Sequence, residues 1–182
     1  MSKRGPTTND YAVAWLRMAI GLLFLIFAQY KIFGNEFIYH GGFEGWIHRF
    51  LRDGAYPFMA PFLRDLILPH ARLFAHVVAY GELCIGLGLV LGVLVRPASF
   101  FGFLYMIVLL FSSNYPGRHA AIWEYFGASL NHLVLALCFV AFGMSHAARV
   151  WSLPAYLQWK YGGGNRNDAI ELDSSGSNVF NK

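Results

Sequence analysis

Four apolar runs divide this chain, and the polar positions between and inside them carry most of its information. A helix needs about 20 residues to cross the hydrocarbon of a bilayer. The runs are Tyr11–Phe33, Leu73–Val95, Ala98–Ser113 and Phe126–Ala148, the third short enough to borrow its neighbours. Arg96-Pro97 links the second and third runs as a tight turn, with Pro97 in the first turn of the following helix, where its missing N–H does no harm. Those two helices are therefore expected to be antiparallel neighbours.

The long connection from 34 to 72 has a pattern of its own. In GFEGWIHRFLRD, Phe43, Trp46, Ile47, Phe50 and Leu51 recur at helical spacing, with Glu44, His48, Arg49 and Arg52 on the other face. Such a helix is too short to span and is expected to lie in the interface, capping one end of the bundle. Gly54, Pro57 and Pro61 end it, and PFLRDLIL forms a further helical turn before Pro69. From Gly162 the chain turns polar and rich in Gly, Ser and Asn, which predicts an adaptable tail. The expected organisation is a cytoplasmic segment 1–10, a helical domain 11–161 and a flexible tail 162–182. The fold class is all-α: an integral membrane four-helix bundle with an interfacial amphipathic segment between helices 1 and 2.

Composition supports lipid as the solvent. Charged residues make up 13% of the 182 residues, about half the usual ~25% of soluble domains, and mean hydropathy is +0.44. The formal net charge of +4 is scattered and gives no nucleic-acid footprint. Cys84 and Cys138 each stand alone in an apolar run and read as buried small hydrophobes. With four spans both termini share a side. That side collects seven Lys and Arg against six on the other, and Lys3-Arg4 ahead of the first helix favours termini inside. Trp15 and Trp151 would then mark the inner interface and Trp123 the outer one.

Ionisable groups at membrane depth pair, face the interior or mark a pathway. Glu82 lies roughly 13 Å past Leu73 at 1.5 Å per residue, too deep for a short side chain to reach water. Arg17, roughly 9 Å into the first helix, either snorkels or pairs inward; an Arg17–Glu82 structural ion pair and a functional carboxylate at Glu82 both stand open. His76, Asn131, His132, Gln29 and Lys31 fall at a matched depth and suggest a polar pocket at the outer end of the bundle. Two histidines on different helices fit haem ligation, but without an attachment motif or a second matched pair a hydrogen bond between helices is the better reading. No metal-ligand cluster is indicated. Gly88 and Gly92 form a GxxxG, which makes the second helix central or dimerising. There is no phosphate-binding loop, nucleophile elbow or HExxH.

The run LRMAIGLLFLIFAQYKIFG, then GGFEGWIHRFL, then AYGELCIGLGLVLGVLVRPASFFGFLYMIVLLF, then NHLVLALCFVAFG with a WSL piece, resembles the DoxX-type membrane proteins (DoxX/DoxD) over roughly residues 16–153. Ala28 and Pro154 depart from the pattern, standing where a glycine and an acidic residue are expected. The resemblance implies a multi-pass protein of a bacterial-type inner membrane. Some relatives belong to oxidoreductase systems that pass electrons to quinone, among them the small subunit of thiosulfate:quinone oxidoreductase. Arg17, Lys31 and Glu82 match the pattern. Two functions follow as expectations: a quinone-linked membrane subunit that uses Glu82 with His76 and His132, Lys31 holding an anionic group; or a non-catalytic scaffold that binds another subunit or a second copy. A transporter ranks last, since no inverted repeat is visible.

Overall fold

The computed structural model describes residues 7–127, 129–145 and 150–161. Every regular element among them is helical. The helix α1 (Thr8–Phe33) starts at a cap in which Asp10 Oδ2 accepts the Thr7 N–H at 2.8 Å and the Thr7 hydroxyl at 2.9 Å. Two amphipathic pieces follow, α2 (Glu36–Tyr39) and α3 (Gly42–Arg52). Then α4 (Met59–Pro61) runs through a π-helical stretch, Phe62–Ile67, and a 3-10 turn, Leu68–His70, into α5 (Ala71–Leu91). The rest is α6 (Val95–Ser112), α7 (Ile122–Gly127), α8 (Leu130–Met144) and α9 (Leu153–Tyr161).

Among the described residues, three helices are long and apolar enough to cross a membrane: Thr8–Phe33, the continuous rod Met59–Leu91, and Val95–Ser112. The apolar α8 is shorter, 15 residues, or roughly 22 Å at 1.5 Å per residue. Two sequence expectations change here. Pro61 and Pro69 do not end the second helix; the rod passes through both. Each proline lacks a donor, and the switch from π to 3-10 hydrogen bonding lets the backbone pass Pro69 without breaking. The turn into α6 also lies earlier than Arg96-Pro97. It falls at Gly92 and Leu94, both with left-handed backbones (φ 68° and 55°), and Arg96 and Pro97 sit inside the first turn of α6.

Close approaches fix the packing. A Cβ on Gly21 would lie 3.1 Å from the Gly86 carbonyl oxygen, and one on Gly86 would lie 3.0 Å from that of Gly21, so α1 and α5 cross backbone to backbone. Gly88 faces Ala98 across the α5–α6 turn and Gly92 closes α5. The GxxxG is thus spent inside the protomer. Gly102 of α6 takes the ring of Phe139 from α8 directly on its Cα. Neighbouring long helices are antiparallel.

Two hydrophobic clusters result. One holds Ile20, Phe24, Ile85, Leu89, Met106, Ala136, Phe139 and Phe142, between α1, α5, α6 and α8. The other joins Phe37, Ile38, Phe43 and Ile47 of the amphipathic segment to Met59, Leu63, Ile67, Ala71, Ala75 and Ala79 along the rod. Phe43 and Ile47 are therefore buried against protein, while Trp46 faces outward, contrary to its expected place on the apolar face. Cys84 is also exposed and Cys138 only half-buried. The expected tail 162–182 lies outside the described residues.

Candidate functional site: a buried Lys–Glu–Tyr cluster

The two clusters meet at one charged group. Along the rod, Glu82 sits one turn from Ala79 of the second cluster and one turn from Ile85 of the first. Its Oε1 lies 2.5 Å from Lys31 Nζ and accepts the Tyr105 hydroxyl at 2.7 Å. The carboxylate side chain is 6% exposed and the lysine 16%. Glu82 Oε2 is buried with no hydrogen-bond partner. Lys31 Nζ also lies 5.0 Å from the centre of the Phe37 ring and 3.5 Å from the Tyr105 hydroxyl.

The geometry follows from helix lengths. Arg17 stands level with Gly92, and Lys31 is 14 positions further along α1, roughly 21 Å at 1.5 Å per residue. Glu82 is ten positions from Gly92, roughly 15 Å by the same rise. A lysine in the last turn of a helix ordinarily extends its stem toward water. Lys31 instead folds back toward the helix N-terminus, the direction in which helical side chains lean, and closes the difference. A buried carboxylate carries a desolvation cost that only a close cation and good hydrogen bonds offset; Lys31 and Tyr105 provide both to one oxygen and leave the other open.

The expected Arg17–Glu82 pair does not form. Arg17 is fully buried, 0% exposed, and its Nη2 donates to the backbone carbonyls of Trp151 at 2.8 Å and Val150 at 3.4 Å. Its Nε and Nη1 have no hydrogen-bond partner. The guanidinium lies against Gly92, at the carbonyl end of α5, where the helix dipole favours a cation. Lys31 pairs with Glu82 instead.

Nor do the other polar candidates converge. Gln29 and Asn131 are exposed. His76 Nδ1 meets the Arg72 carbonyl at 2.7 Å, and its ring packs between Tyr39 and Tyr80. His132 is half-buried with an unpartnered Nδ1. No hydrogen bond among the described residues joins these four to one another or to Glu82. Their matched depth assumed helices that end at one level, whereas α1 stops beside the middle of the rod. Among the described residues no group of three His, Cys, Asp or Glu side chains is placed to hold a metal.

A second polar assembly, unforeseen from sequence, clasps the end of the bundle away from Arg17. The Tyr56 hydroxyl donates to the Tyr125 carbonyl at 3.0 Å and the Tyr125 hydroxyl to the Gly117 carbonyl at 2.7 Å. Backbone bonds Tyr56 N–H to Phe111 O, 3.2 Å, and Tyr115 N–H to Gly54 O, 2.8 Å, tie the same loops. Burial, then the neighbouring Tyr125 and Tyr115, hold the Tyr56 phenol above the usual tyrosine range.

Fold and site together define an all-helical membrane protein with an ion pair inside its helical core. The DoxX family model matches residues 12–114, more than half of the 182 residues, and the chain belongs to that family. The matched region contains Arg17, Lys31, Glu82 and Tyr105 and ends before α7. No curated protein matches the chain, and no solved structure does.

Proposed function

We propose that this chain is the membrane subunit of a quinone-linked oxidoreductase system. In this reading α8 with its flanks completes a four-span bundle, and α2–α3 lie in the membrane interface. The termini face the cytoplasm of a bacterial-type cell. The observation that carries the functional reading is Glu82 Oε2, a buried acceptor with no donor, beside an ammonium and a phenol. A hydroquinone hydroxyl donates to such an oxygen. In the reverse direction, Lys31 donates to a quinone carbonyl and Glu82 relays a proton. Reduction of a quinone takes two electrons and two protons; the electrons come from a partner subunit that oxidises its own substrate.

The test is binding of a short-tailed hydroquinone to the protein in lipid nanodiscs, followed by saturation-transfer NMR. The wild type is expected to bind, and Glu82→Gln and Lys31→Met to weaken binding at least about 10-fold, which is ~1.4 kcal/mol. Equal binding by all three proteins refutes the assignment. The second reading, a scaffold for another subunit or a second copy, draws on the closed geometry of the Lys31–Glu82 pair, which resembles a structural bond. It predicts no hydroquinone binding and a stable protein partner on mild extraction.

A further inference from the structure

We infer that the outward face of α3 is a seat for the phosphodiester headgroup of an anionic glycerophospholipid. The inference rests on the interfacial placement of α3 proposed above. A surface groove of about 250 Å³ runs along this helix, lined by Gly42, Gly45, Trp46, Arg49 and Arg52. These positions share one face, and its opposite, Phe43 and Ile47, is anchored in the cluster that joins the amphipathic segment to the rod. The groove is thus held on a rigid support.

Its chemistry is cationic. The Arg49 and Arg52 side chains are 56% and 73% exposed. Each approaches the single carboxylate of Asp53 through Nε, at 4.0 Å and 3.7 Å, so one negative charge is shared between two largely exposed guanidinium groups. Arg49 lies over the Trp46 ring, 5.3 Å from its centre. A planar guanidinium stacked on an indole keeps its edge free for oxygens, and a guanidinium edge matches phosphate geometry. Tryptophan itself favours the headgroup level of a bilayer. Gly45 supplies the floor: a Cβ built there meets no atom within 4 Å. The missing side chain is therefore not required by packing, although glycine is disfavoured in a helix relative to alanine. Gly45 thus leaves open space beside Arg49 and Trp46 in the groove.

Each basic residue near an anionic surface is worth ~1 kcal/mol, or roughly 5-fold in binding. The charge complement selects phosphatidylglycerol over phosphatidylcholine.

The experiment uses the full chain in nanodiscs of mixed phosphatidylglycerol and phosphatidylcholine. Native mass spectrometry after gentle release measures retained lipid, and bromine-labelled lipids measure the depth of Trp46 as the difference between wild type and Trp46→Phe. Expected results are headgroup-level quenching of Trp46 and several-fold enrichment of phosphatidylglycerol. Arg49→Gln/Arg52→Gln and, separately, Gly45→Leu are expected to abolish the enrichment. Gly45→Leu touches no protein atom at its Cβ, so its thermal stability should match or exceed the wild type. If Trp46 is not quenched, the interfacial placement fails and the site with it. If Trp46 is quenched but either variant retains the enrichment, the placement stands and the headgroup site is refuted.

Discussion

Removing Lys31 should be far more damaging than removing Lys31 and Glu82 together. The pair is in contact at 2.5 Å, where two unit charges attract by roughly 6–7 kcal/mol at an effective dielectric of ~20. Most of that attraction offsets the several kcal/mol per ion of desolvation. Lys31→Met leaves the carboxylate in place with Tyr105 as its one donor, and breaking a buried pair in this way costs about 3–5 kcal/mol. Glu82→Leu strands the lysine instead. Lys31 stands two residues from the end of α1 and can swing its stem outward, so this variant should lose only about 1–2 kcal/mol, using the snorkelling argument. Lys31→Met/Glu82→Leu replaces an ion pair with apolar volume and should fall within about 1–2 kcal/mol of the wild type. The coupling energy is then at least ~2 kcal/mol. Reversible unfolding by SDS titration in mixed micelles, followed by circular dichroism, measures all four proteins. A double variant as unstable as the sum of the singles refutes the reasoning, because it would mean that the two groups do not compensate one another.

Two further outcomes are expected. Gly102→Ala places a methyl in the ring of Phe139, which is 1% exposed; overpacking of this kind costs about 1–3 kcal/mol, and Gly102→Ala/Phe139→Leu should be less unstable than the two losses combined in the same SDS titration. Tyr56→Phe removes the bond to the Tyr125 carbonyl, worth about 1 kcal/mol. Because the folded protein holds the Tyr56 proton above the usual tyrosine range, its contribution is complete below pH ~10 and is lost as the pH rises beyond that value. The difference between the wild-type and Tyr56→Phe absorbance titrations near 295 nm should be one tyrosine that ionises above the usual range.

The sequence made some of this legible. Long apolar runs are direct evidence for spans, and Glu82 stands out because little else in its run is polar. Its partners were harder to see. A hairpin folded at Arg96-Pro97 sets Glu82 opposite Phe111, whereas one folded at Gly92–Leu94 sets it level with Leu104 and Tyr105. That displacement of nearly two turns hid the phenol, although a tyrosine hydroxyl in the middle of an apolar helix must find an acceptor. Lys31 was hidden by Pro61 and Pro69. Reading them as breaks puts the ends of the first two helices at one level, while the continuous rod Met59–Leu91 lets α1 end beside its middle. The partners of Arg17 are backbone carbonyls, which carry no residue-type signature. The amphipathic period of α3 was correct, but the period alone did not fix whether Trp46 belonged to the buried face or its rim.

The position of Arg17 also orders events in time. Its acceptor at Trp151 is 134 residues further along the chain, and at roughly 5–20 residues per second of synthesis that separation is about 7–27 s. Throughout this interval the first helix carries a cation whose final carbonyl partners do not yet exist. Lys31 meets Glu82 after 51 residues, so α1 and α5 can join first through their glycines and this pair. The guanidinium is satisfied last, when the segment before α9 arrives. Chain closure at Arg17 is thus a late step of assembly, and the charge that completes the folded protein is the one that burdens its nascent form.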